Sequence, residues 1–162
     1  MALAFPIATV LLLLPFIVID IKYRIVPDSL LVIAVPLAIL IGMFGQGLSM
    51  ASELVGAGVG AILMFGIALA GNGGVGWGDV KLAPVLGIMV GWPSVLVVLG
   101  SSLLFGAITA TVVLMWHDRQ PRQQSIPFVP AMAAGTAVGL VWGNDITRGV
   151  TQAFQQYFLR GS

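Results

Sequence analysis

What constrains this chain most is a succession of apolar runs, each too evenly hydrophobic to be one face of a soluble helix. The first is MALAFPIATVLLLLPFIVID, and six follow one another as candidate spans: Ala2 to Ile19, Leu30 to Phe44, Leu54 to Ala70, Val80 to Gly91, Ser94 to Trp116, and Phe128 to Trp142. Backbone facing lipid must satisfy its own hydrogen bonds, and no ten-residue alternating strands occur, so helices are the only fit. The expectation is an all-α polytopic membrane helix bundle of about six transmembrane helices in a single domain, residues 1–162. Several runs fall short of the roughly 17–25 residues of a spanning helix. The fourth, Val80 to Gly91, is the shortest and falls furthest below the length of a full crossing.

Composition supports the bilayer as the main partner. The chain is 59% hydrophobic and 8% charged, where soluble domains carry about 45–50% apolar and roughly 25% charged residues. A net charge of +1 with no basic run excludes a nucleic-acid surface. With no cysteine and a single histidine, His117, a disulfide framework, a thiol nucleophile and a histidine- or cysteine-rich metal site are excluded too. No metal or other cofactor is expected, so the chemistry falls to carboxylates, lysines and hydroxyls. The first run has no basic segment before it and no small-residue cleavage site after it, and it is expected to be retained as a span.

Glycine pairs at G-x-x-x-G spacing, Gly56 with Gly60, Gly87 with Gly91 and Gly135 with Gly139, fit close helix packing. With six spans, Lys22, Arg24, Lys81, Arg119 and Arg122 share one side and Arg148 and Arg160 the other. The positive-inside rule puts the first group in the cytoplasm. The tail, with Ile146, Val150, Phe154, Tyr157 and Phe158 at helical spacing among glutamines, suits a C-terminal helix lying in the interface.

The six acidic residues are few enough to weigh singly. Asp28, after Pro27, fits a cap of span two; Glu53 fits the positive end of span three's dipole. Asp118 and Asp145 read as solvated. Asp20 and Asp79 each abut an apolar run, where an ionisable residue is expensive and usually functional. Taken alone, Asp20 also reads as an interfacial acid and Asp79 as the N-cap of span four. Counting crossings places both on the same side, whether or not span four crosses. Two carboxyls brought together in low dielectric share a proton, one serving as base and the other as acid, and such a pair can activate water against an amide. Asp79 lies in GNGGVGWGDVK, residues 71–81, where Gly76 and Gly78 offer no side chain to obstruct an extended substrate backbone.

GWGDVKL, Gly76 to Leu82, resembles the G-x-G-D motif of the prepilin peptidases, membrane aspartic proteases that remove leader peptides from type IV pilins and related proteins. DIKYRIVPDSL, Asp20 to Leu30, resembles that family's first aspartate with its following basic stretch. IPFVPAMAAG, Ile126 to Gly135, is similar to the family's Pro-Phe-Gly-Pro segment, with Val129 in place of the usual glycine. The resemblance implies Asp20 and Asp79 as the catalytic pair. It further implies Gly76, Gly78, Lys81, Pro127 and Phe128 as substrate-binding, prepilin-like proteins as substrates, and the inner (cytoplasmic) membrane as the location, with the site towards the cytoplasm. Many members of that family add a cytoplasmic region with paired cysteines and methylate the new N-terminus; this chain resembles a short, peptidase-only form. The rival reading is a small channel or transporter using the two aspartates as an ion or proton relay, and a third is a scaffold built on the glycine faces.

Overall fold

A computed structural model describes residues 4–71, 76–116 and 127–160, and all regular structure among them is helical. The helices are α1 (Ala4–Tyr23), α2 (Asp28–Ile41) with a π-helical turn (Gly42–Gln46) continuing it, α3 (Met50–Ala70), α4 (Trp77–Val90), α5 (Ser94–Trp116) and α6 (Val129–Arg160). Among the described residues four segments are long and apolar enough to cross a membrane: Phe5–Tyr23, Asp28–Gln46, Met50–Ala70 and Ser94–Val113. The apolar part of α6, Val129–Gly143, is shorter.

The shortest expected span turns out to be the centre of the molecule. α4 has 14 residues, about 21 Å of helix against a hydrocarbon core of about 30 Å. Its Leu82, Ala83, Val85, Leu86, Met89 and Val90 are almost wholly buried, because α2, α3, α5 and α6 all pack on it. A helix sheathed in protein need not match the bilayer, and it is apolar on all sides for the same reason.

Glycine sets the closest approach. A β-carbon on Gly56 of α3 would collide with the Gly87 backbone of α4, and one on Gly87 would collide with Gly56; a β-carbon on Gly60 would lie 2.8 Å from the Ala83 carbonyl oxygen. Gly56 and Gly60 therefore do face a partner helix, as their spacing suggests. Gly91 is different: it is a turn residue with φ of 67°, ending α4 before a short link to α5.

Two boundaries differ from the sequence reading. α1 runs to Tyr23, which draws Asp20 inside its last turn and buries it. The tail is not a separate interfacial helix: α6 continues unbroken for 32 residues to Arg160, since Gly143 keeps helical geometry against Ser94 of α5. His117, Asp118, Arg119, Arg122 and residues 72–75 lie outside the described residues, as do the side chains of Val150, Phe154, Tyr157 and Phe158.

Candidate active site

One end of the bundle gathers the C-terminus of α1 and the N-termini of α2, α4 and α6. Asp20 belongs to α1 and Asp79 to the first turn of α4, and both carboxyls are buried, at 5% and 7% exposure. The final turn of α1 closes through Arg24, whose φ of 55° turns the chain and whose N–H donates to the Asp20 carbonyl at 2.8 Å.

Each carboxylate is held by the start of a helix. The Val129 N–H, left without an intrahelical partner at the beginning of α6, donates to Asp20 Oδ2 at 3.0 Å. That bond, reinforced by the helix dipole, joins α1 to a segment 109 residues further along. Asp79 is the third residue of α4, and its Oδ2 accepts the Gly76 N–H at 3.2 Å, one half of a capping box. It is thus not the N-cap; that position belongs to Gly76.

Asp79 lies at the mouth of α4, outside the four long spans, and its carboxyl is pushed up to about 7. Burial is the main cause, the negative charge of Asp20 the second, and the Gly76 N–H pulls the other way. The two acids thus feel each other. Near neutral pH Asp79 is poised to carry a proton while Asp20 has a backbone donor for its charged form, the division of labour an acid–base pair requires.

The other expected site residues are placed as follows. Lys81 bridges Asp28 at 2.7 Å, an exposed contact tying the start of α4 to the start of α2. Asp28 is accordingly no cap: the N-cap position is Pro27, and Asp28 is spent on Lys81. At Gly78 a β-carbon would lie 2.7 Å from Val26 Cγ2, so its missing side chain admits the link between α1 and α2. Gly76 is exposed, and a β-carbon there would come within 3.0 Å of Asp79 Oδ2. Pro127 and Phe128 are half-buried, with the Phe128 ring lying against Gly106 of α5. Glu53 is in the first turn of α3, as expected, but it is buried, 1% exposed, at the opposite end of α4.

Sequence reasoning missed the Val129 N–H, the Lys81–Asp28 bridge and the burial of Glu53. Pro130 signals a helix start, and a helix start presents unpaired N–H groups to an anion, which makes the Val129 N–H a readable donor. Nothing local in the chain says which carboxylate it meets.

Among the described residues no group of three or more histidine, cysteine or acidic side chains is arranged to hold a metal ion. Fold and site together define an all-helical membrane protein with two interacting carboxyls buried at one mouth of the bundle.

Residues 7–111 match the type IV leader peptidase family, and the chain belongs to that family. It is 33% identical over 145 residues to a protein of Stutzerimonas stutzeri named prepilin leader peptidase/N-methyltransferase, covering 86% of this chain and 50% of the relative. Proteins of the same name from Bacillus subtilis and Pseudomonas aeruginosa are each 30% identical, over 127 and 141 residues. These matches cover 78% and 84% of this chain, and 51% and 48% of the respective relatives. The chain therefore spans about half the length of the curated relatives it matches. No solved structure matches it.

Proposed function

We propose that this protein is a membrane aspartic endopeptidase that removes the leader peptide of type IV prepilin-like proteins at the cytoplasmic face of the inner membrane. The observation that carries the proposal is the burial of Asp20 and Asp79 at one mouth of the bundle, close enough for the charge of one to act on the other. Family membership supports the same substrate class. The N-methyltransferase activity in the relatives' names belongs to those proteins.

In the resting pair Asp20 is the ionised member and Asp79 carries the proton. A water held between them gives a proton to Asp20 as its oxygen attacks the scissile carbonyl carbon, and Asp79 donates its proton to the carbonyl oxygen. The tetrahedral intermediate then breaks its C–N bond. Asp20 passes its new proton to the leaving nitrogen, and Asp79 recovers its own from the collapsing hydroxyl. The cycle consumes one water and restores both acids. Proton sharing of this kind uses the low-dielectric site that burial provides.

The test is co-expression of a prepilin-like protein bearing its leader with wild type, Asp20→Asn, Asp79→Asn and Asp28→Asn, with membrane insertion checked for all four. Wild type and Asp28→Asn should shorten the substrate, because an exposed bridge contributes little; the other two should leave it intact. Cleavage by either of those two, or proton flux dependent on the aspartates with no cleavage by wild type, refutes the peptidase reading.

A further inference from the structure

The end of the bundle remote from Asp20 and Asp79 holds an acid that the proposed chemistry does not use. Glu53, in the first turn of α3, is 1% exposed, and neither carboxyl oxygen has a hydrogen-bond partner among the described residues. The ion pair found among those residues, Lys81 with Asp28, is at the other end. An ionised carboxylate left unpaired in such surroundings is severely unfavourable. A neutral carboxylic acid needs only an acceptor for its proton.

The end of α4 supplies one. α4 stops at Val90, so its last carbonyls lack helical partners. The Trp92 N–H, which a further turn would direct at the Ile88 carbonyl, donates to the Ser52 carbonyl at 3.1 Å, and the Gly91 N–H donates to Gly87 at 2.8 Å. Gly42, in the π-helical turn, faces both the Glu53 carboxyl and the Ile88 carbonyl. A β-carbon there would collide with Glu53 Oε1 and lie 3.0 Å from the Ile88 carbonyl oxygen. Ser52 already joins the same two elements: its hydroxyl accepts the Trp92 N–H and donates to the Trp92 carbonyl, both at 3.1 Å.

We propose that Glu53 is a neutral carboxylic acid whose O–H is donated to the Ile88 carbonyl, and that this bond fixes the lengthwise placement of α4 against α3 and thereby positions Asp79 relative to Asp20. The glycine contacts Gly56–Gly87 and Gly60–Ala83 set how closely α3 and α4 approach, and directed hydrogen bonds at one end, those of Ser52 with Trp92 and that of Glu53 with Ile88, set their lengthwise register. Glu53 is a positioning residue. It lies at the far end of α4 from the reacting atoms and touches none of them.

The test uses the full chain in lipid nanodiscs. Infrared spectra are taken at mildly alkaline pH, where Asp79 has released its proton, and wild type is compared with Glu53→Gln. The expected result is a protonated-carboxyl band in wild type that vanishes in the variant; absence of that band overturns the proposal. A second arm measures cleavage of a prepilin-like substrate and rests on the peptidase reading. Glu53→Gln keeps a donor and should stay within about threefold of wild type. Glu53→Leu, of similar size without a donor, should lose about tenfold in kcat at unchanged KM. Equal loss in both variants, or loss in neither, overturns the positioning role. If Glu53→Leu does not accumulate, the glutamine variant and the infrared band decide. A wild type that cuts nothing refutes the peptidase reading alone, and the band still decides the state of Glu53.

Discussion

The Asp79 carboxyl is pushed up to about 7 because two effects act in the same direction: burial disfavours its anion, and so does the charge of Asp20. The consequence for catalysis has a definite sign. The group is raised, and in the proposed mechanism it is the acid, so activity is expected below its value of about 7 and is lost as pH rises through it. We expect kcat/KM to fall about tenfold per pH unit on the alkaline side, measured as initial cleavage rate in a buffer series with substrate well below KM. A profile flat from neutral to pH 9 would remove Asp79 from that role. At this scale the sequence was informative wherever charge was scarce. Asp20 and Asp79 stood out because they abut apolar runs, and the structure brings both to one mouth. The direction of Lys81 was not readable, since Asp28 and Asp79 are both plausible partners by position and only the packing of α2 on α4 selects Asp28.

Helices here are located by glycine more than by side-chain interdigitation. Gly56 and Gly87 occupy the same point of contact from opposite helices, so even one methyl group there forces α3 and α4 apart. Gly87→Ala should lower stability by about 1–3 kcal/mol, the usual penalty of overpacking. Gly58→Ala, one residue type and one change alike, faces open space in an exposed part of α3 and should be neutral or gain up to about 1 kcal/mol in helix propensity. Thermal unfolding of both variants in the same detergent checks the contrast; similar melting points would contradict it. The existence and order of the six helices were legible from the apolar runs, because lipid permits little else. The centrality of α4 was not. A short run with a proline, Pro84, looks like a weak span until neighbouring helices are seen to enclose it. The junction of the tail with the last apolar run was not legible either: amphipathic spacing shows which face is apolar and says nothing about whether a helix breaks at Gly143 or continues unbroken as α6 does.

At the scale of the whole molecule, counting crossings puts both aspartates on one side, and the proposed function requires that side to be the cytoplasmic one, as the positive-inside rule predicts. The absence of cysteine makes this simple to test, since any introduced thiol is unique. Ser29 and Ser49 are exposed, at the starts of α2 and α3 and hence at opposite ends of the bundle. In spheroplasts a membrane-impermeant maleimide should label Ser49→Cys and spare Ser29→Cys until lysis; the reverse pattern would invert the topology.

The account depends most on Asp20 and Asp79 acting as one unit, and the most direct measurement is a double-mutant comparison on purified protein. Cleavage of a prepilin-like substrate is followed by mass spectrometry for wild type, Asp20→Asn, Asp79→Asn and the double variant, all in nanodiscs. Each single change should lower kcat at least about a hundredfold, and the double change should cost little more than either alone, because removing either acid already disables the shared proton. Losses that simply multiply in the double variant, or a single variant that still cuts at near the wild-type rate, would contradict a coupled pair.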